Sequence, residues 1–231
     1  MACWLNAPVD VLTYLLSLWP RAICIKNRSG QTPLQRASKP CRGVPAHETL
    51  QFLRQQLTDR FFNVCQKAYP SLDHLKEVLQ AYPQVVQETK NGAWPIHSLL
   101  QAEHLSLEAV VLLVTAWPAS LLCSDQYGAN PLHLTCQRLP PVTHENHGVT
   151  AATVNYLIRP ETVRGSDRQG NLPLHTACGN PYTTQALLDR LLYAWPESVV
   201  EVNQAGELPQ SVHTDVTRSE ERRVYGLPLT H

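Results

Sequence analysis

Aligned on a set of prolines, the chain shows the same apolar stripe again and again. Positions eleven, eight, five and four residues before Pro20 are Val9, Leu12, Leu15 and Leu16. Before Pro83 they are Leu72, Leu75, Val78 and Leu79, and before Pro118 they are Leu107, Val110, Leu113 and Val114. Before Pro196 the stripe is Leu188, Leu191 and Leu192, following Gln185. Offsets of three, three and one put these side chains on one face of a helix. The copy before Pro160 has Val154, Leu157 and Ile158, slipped by about one residue. No copy could bury its stripe alone, so the pattern predicts helices stacked on one another.

A second anchor keeps register with the first. Gly-x-x-Pro occurs at Gly30/Pro33, Gly92/Pro95, Gly128/Pro131, Gly170/Pro173 and Gly206/Pro209. The closing proline lies ten residues before the glycine in four copies and nine in the fifth, the one at Gly92. Gly92 to Gly128 and Gly170 to Gly206 are both 36 residues, Gly128 to Gly170 is 42, and Gly30 to Gly92 is 62. Fixed anchors with variable length place insertions in one connection of each helical hairpin. The glycine supplies a positive φ at the entering turn. The proline takes the first helical position, where its missing N–H costs nothing. Thr32 and Asn130 can cap the helices that follow, whereas Trp94, Leu172 and Leu208 cannot. Three residues past each closing proline, Ile23, Val86, Leu121, Val163 and Val199 form a further recurring position, predicted to be buried.

Asp125-x-x-Gly128-x-Asn130-Pro131-Leu132-His133 and Asp167-x-x-Gly170-x-Leu172-Pro173-Leu174-His175-Thr176-Ala177 resemble the signature of the ankyrin repeat. Gly92-Ala93-Trp94-Pro95-Ile96-His97 is a weaker copy. Gly30-Gln31-Thr32-Pro33-Leu34-Gln35 lacks the histidine, and the copy at Gly206 lacks it too. The resemblance implies an all-α, ankyrin-like solenoid of about five helical hairpins in a single domain over 1–231. Its units are an incomplete repeat (1–29), a repeat with a helical insertion at about 41–70 (30–91), a repeat at 92–127 and a repeat with a short loop insertion (128–169). A repeat at 170–205 and a C-terminal partial repeat with a polar tail (206–231) complete it. Two departures stand out. The second helices close on proline where the family usually has glycine, so they must end differently and the hairpin fingers are expected to be reduced to loops. The period is 36 against 33 for the family.

Ala2-Cys3 aligns with Ala177-Cys178, which puts Met1 inside a first helix and suggests a fragment of a longer array or a displaced start. In the insertion, Leu50, Leu53, Leu57, Phe61 and Val64 recur at helical spacing. They predict an amphipathic helix that packs on the array, or one that presents a partner-binding face.

Composition narrows the function. Nineteen basic residues balance nineteen acidic ones without clustering, so a nucleic-acid footprint is absent. No apolar run reaches the roughly 20 residues of a membrane span. The apolar N-terminus has no positive leading region and carries Asp10, unlike a secretory signal. Seven scattered cysteines, an odd number, predict reduced thiols and an intracellular protein, cytoplasmic or nuclear. The chain has no Gly-x-Ser-x-Gly, phosphate-binding loop, dinucleotide fingerprint or His-Glu-x-x-His, so no catalytic residue and no cofactor are expected.

His133-x-x-Cys136 and His175-x-x-Cys178 have the residue types of a zinc site. Equivalent positions of neighbouring stacked helices lie about 8–10 Å apart, however, against metal bonds of about 2.0–2.3 Å. His97, His133 and His175 are therefore read as structural, bonding the backbone of the preceding turn. Trp19, Trp117 and Trp195 are read as a stacked interhelical ladder. The implied function is non-catalytic binding of a protein partner through the turn tips Asn27, Arg28, Lys90, Asn91, Gln126, Tyr127, Arg168, Gln169 and Gln204, with exposed first-helix positions Ser98 and Thr176. A small-molecule or metal-responsive module using the cysteines and the His144/His147 loop is a second reading, and a non-functional fragment of a larger array is a third. The sequence is silent on the oligomeric state.

Overall fold

The computed structural model describes residues 8–39, 47–140 and 147–209. In chain order the α-helices are α1 (Val9–Leu18), α2 (Pro33–Ala37), α3 (His47–Cys65), α4 (Leu72–Ala81), α5 (Pro95–Leu100) and α6 (Leu107–Ala116). They continue with α7 (Pro131–Gln137), α8 (His147–Leu157), α9 (Pro160–Val163), α10 (Pro173–Gly179) and α11 (Gln185–Ala194). Among the described residues there is no β-strand, only an isolated bridge between Lys90 and Ala93. The protein is all-α.

The helices form two rows. Long helices pair with short ones as α3/α4, α5/α6, α7/α8 and α10/α11. Along one row α3 packs on α5, α5 on α7 and α7 on α10; along the other α4 packs on α6, α6 on α8 and α8 on α11. The core runs continuously between the rows from Ile23 to Leu191. The middle of the stripe is inside: Leu75, Val78, Val110, Leu113, Val154, Leu157 and Leu191 are buried. Leu72, Leu79, Leu107, Leu188 and Leu192 are half-buried, and Leu187 takes the inner place beside Leu188. In the first copy Leu12 is buried but Leu15 is exposed.

The aromatic-proline pairs explain how the second helices stop. Trp19, Tyr82, Trp117 and Trp195 each sit at the helix end with φ between −142° and −155° and ψ between 81° and 89°. Proline disfavours helical geometry in the residue before it, which ends the helix there. The proline then opens a 3₁₀ turn: Pro20–Cys24, Pro83–Gln87, Pro118–Leu122 and Pro196–Val200. At Pro160 this place is taken by α9. There the second helix ends at Leu157, so Ile158 and Arg159 intervene before proline, which accounts for the one-residue slip of that stripe. Within these turns the residue two past proline is buried at Val85, Ser120, Thr162 and Ser198. The third position is buried at Ile23, Val86 and Val163 but only half-buried at Leu121 and Val199.

The insertion is not an appendage. α3 packs against α5, α4, α2 and α1, so it is the inner member of its own layer. Leu53, Leu57, Phe61 and Val64 are buried as the spacing predicts, and Phe62, which the spacing did not single out, is buried with them. α2, although opened by Gly-x-x-Pro, has only five residues and packs on α3.

Candidate functional site

All five signature glycines have positive φ, from 71° at Gly30 to 80° at Gly128. Four of the turns share one design. In the turn at Asp125, the Asp125 N–H donates to the Ala129 carbonyl and the Gly128 N–H to the Asp125 carbonyl, both at 3.0 Å. The Asp125 carboxylate accepts from the N–H groups of Tyr127 (2.8 Å) and Ala129 (3.0 Å). Asp167 repeats this with Gln169 and Asn171, Asn27 with Ser29 and Gln31, and Asn203 with Ala205 and Glu207. Three residues between the paired groups, the last a left-handed glycine, match the type I turn with a bulge.

The fifth turn differs. Lys90 and Ala93 exchange both backbone bonds at 3.0 Å, with only Asn91 and Gly92 between them, at φ 53° and 72°. An Asn-Gly pair with both residues left-handed is the tight two-residue hairpin turn. It is one residue shorter than the others, which is why the spacing is nine there and ten elsewhere. The fingers are thus ordered turns, not featureless loops.

Neighbouring turns are joined directly. The Arg168 N–H donates to the Tyr127 carbonyl and the Gln204 N–H to the Gln169 carbonyl, each at 3.0 Å. The approach is close enough that a Cβ on Gly128 would lie 2.8 Å from the Arg168 nitrogen, and one on Gly170 would lie 2.9 Å from the Gln204 nitrogen. Glycine is needed twice over at these positions, for its φ and for lack of a side chain. A Cβ on Gly30 would meet nothing within 4 Å.

The histidines add a second link between units. The His97 Nε2–H donates to the Ala129 carbonyl (3.1 Å), His133 to Asn171 (2.9 Å) and His175 to Glu207 (3.1 Å). Each bond reaches the following turn, which corrects the expectation that they hold the preceding one. On the other side of the ring, Nδ1 of His133 and His175 accepts the backbone N–H of Asn130 and Leu172, the residues that open their helices. This is how the Leu172 helix start is satisfied without a capping side chain. Burial lowers the pKa of all three histidines, despite the carbonyl bonds that favour the charged form.

With both nitrogens of His133 and His175 occupied, neither ring has a lone pair to offer a metal. Cys65 and Cys136 are buried thiols whose pKa is pushed up to about 12 by desolvation, and burial raises Cys178 also. No group of three or more His, Cys, Asp or Glu with metal-binding arrangement occurs among the described residues. His144 and the His147 side chain lie outside the described residues, as do Cys3 and Cys41.

The turn-tip residues fall into two groups. Asn27, Arg28, Asn91, Gln126, Tyr127, Arg168, Gln169 and Gln204 are exposed, whereas Lys90 is half-buried with its ammonium paired to the Asp59 carboxylate of α3. The first-helix positions do not join them. Ser98 is 3% exposed, packed between α5 and its neighbours, so it is not a surface residue. Thr176 is half-buried and its hydroxyl turns back to the Leu172 carbonyl at 3.4 Å. The tryptophans do not form a ladder either. Trp19 is mostly exposed, Trp117 packs at 5.1 Å against Trp94, and Trp195 lies under the Arg164 guanidinium at 5.7 Å. Missed by the sequence reading were Asn27 and Asn203 as turn-forming residues. Their position three before Gly30 and Gly206, matching Asp125 and Asp167, is the signal that finds them.

No described helix is long and apolar enough to cross a membrane. Compared with known proteins, the chain matches no family model and no curated sequence.

Proposed function

We propose that the protein is an ankyrin-like array acting as a non-catalytic scaffold for a protein partner, in an intracellular setting consistent with the free cysteines among the described residues. The observation that carries the reading is the row of tips formed by Tyr127, Arg168, Gln169 and Gln204. These side chains are exposed while their backbones are tied to one another turn by turn. A rigid backbone presenting free aromatic, amide and guanidinium groups recognises a partner with little ordering cost. Tyr and Arg are the residue types that most often anchor protein interfaces.

The test is affinity capture from the native cell with the wild type and with the triple variant Tyr127→Ala, Arg168→Glu, Gln204→Ala. The reading expects partners to be lost while the thermal melt is unchanged. Undiminished capture by the triple variant sinks it.

A further inference from the structure

α3 has a second face. Gln56, Arg60 and Asn63 follow one another at helical spacing along it, Lys67 lies two residues past its end, and all four line a cleft of about 320 Å³. Its opposite wall is apolar, made by Leu16 of α1 and by Pro20 and Ile23 of the first 3₁₀ turn. The eight helical residues from Gln56 to Asn63 span about 11 Å, the length of roughly three residues of extended chain.

The charges around the cleft do not cancel. Asp59 is consumed by Lys90 and by the Gln55 amide. Glu77 stands beside it and is bonded to Arg21 at 3.1 Å. Its other oxygen makes a long ion pair with Arg60 at 4.0 Å. The Arg60 guanidinium donates to the Pro20 carbonyl at 3.1 Å, while its Nε is buried without an acceptor. Gln56, Asn63 and Lys67 make no side-chain hydrogen bond within the described residues. Three exposed donors, among them the Lys67 ammonium, and the buried Arg60 Nε thus face an apolar wall.

We propose that this cleft binds an acidic peptide segment, with carboxylates on Arg60 and Lys67, amide contacts to Gln56 and Asn63, and apolar side chains on Leu16, Pro20 and Ile23. It rests on the reading of the protein as a binding scaffold but uses a surface separate from the turn tips. A single uncharged ligand would leave the cations unanswered, and a bare inorganic anion would leave the apolar wall wet.

The experiment is fluorescence anisotropy on the full chain with a fluorescein-labelled nonapeptide alternating glutamate and leucine. Glutamine-for-glutamate and lysine-for-glutamate peptides and a labelled oligothymidylate serve as controls. Saturable binding of the glutamate peptide is expected, weakening as salt rises. Lys67→Glu and, separately, Gln56→Glu should each weaken it about tenfold, the scale of one well-placed charge contact. Both side chains are exposed, so circular-dichroism melts of the variants should match the wild type. No binding of the glutamate peptide overturns the proposal. So does equal binding of either control peptide, tighter binding of the oligothymidylate, or unchanged affinity in both variants. Undiminished peptide binding by the turn-tip triple variant separates this outcome from that of the scaffold test.

Discussion

The two ends of the array hold their neighbours by different means. From α5 to α10 the units are joined by a repeated polar code: a histidine to the next turn at each step, and turn-to-turn backbone bonds between the three turns at Asp125, Asp167 and Asn203. Between the turn at Asn27 and the one at Lys90 that code is missing. Gln35 stands where the histidine would be, and its side chain accepts only the N–H of Thr32, its own helix opening. In place of the code stands α3, with Leu57, Phe61, Phe62 and Cys65 at 0% exposure. One region spaces its layers by directional bonds of fixed geometry, the other by an apolar wedge. The first requires particular residue types at fixed places within each turn; the second requires only volume and hydrophobicity.

The largest effect should come from the wedge. Phe61→Ala removes a fully buried ring and is expected to cost about 3–5 kcal/mol of stability. Urea unfolding should show this, with hydrogen exchange locating the loss in α3, α4 and α5 first. A loss below about 1 kcal/mol would mean that α3 is dispensable to the stack.

The polar code is broken at its glycines. Gly128→Ala and Gly30→Ala share the strain of a left-handed alanine, about 1 kcal/mol. Only the former also drives a methyl to 2.8 Å from the Arg168 nitrogen. Gly128→Ala should therefore be the more destabilising by at least another 1 kcal/mol or so, as overpacking against backbone is. Equal melts for the two variants would remove turn stacking from the account.

Acid separates the regions further. Burial depresses the pKa of His97, His133 and His175 below the ordinary 6.5. The unfolded chain then binds more protons than the folded one as pH falls through 6.5, so stability is full above that pH and declines below it. A proton on Nδ1 of His175 would also face the Leu172 N–H, donor against donor. Melting temperature should drop from pH 7 to pH 5, with exchange protection lost in α7 and α10 before α3. The double variant His133→Gln, His175→Gln should start lower and depend less on pH. A variant as steep as the wild type would place the acid sensitivity elsewhere.

The polar region was legible in the sequence because its geometry is set by short local rules. A glycine at positive φ, a proline at the first helical position and a stripe at helical spacing each leave a residue-level mark, and Gly92, Pro95 and Leu113 carry them. The wedge was legible only as a helix. Leu53, Leu57 and Phe61 gave its apolar face, but burial of Phe62 and the inner place of α3 depend on which layers surround it. The surface was least legible. Ser98 and Thr176 sit at equivalent steps on their helices, and which of them is covered depends on how closely the next layer approaches. Asparagine in place of aspartate hid which side chain builds the turns at Gly30 and Gly206, although either side-chain oxygen serves the same two N–H groups. The cleft along Gln56 and Lys67 needed α1 in position before its apolar wall existed at all.

The smallest effects compare two caps, one from each region. Thr32 and Asn130 both open short helices through a side-chain oxygen, Thr32 to the Gln35 N–H and Asn130 to those of Leu132 and His133. Thr32→Ala should cost about 1 kcal/mol, an ordinary cap. Asn130 does more, because its amide also donates to the Thr162 carbonyl at 2.9 Å and so ties α7 to α9. Asn130→Ala leaves that carbonyl unsatisfied and should cost about 1 kcal/mol beyond the cap itself. Asn130→Asp keeps the cap and turns a donor into an acceptor facing the same carbonyl, so it should recover none of the tie. An aspartate variant as stable as the wild type would show that the Thr162 bond contributes nothing, and the two regions would then differ in their layers alone and not in their caps.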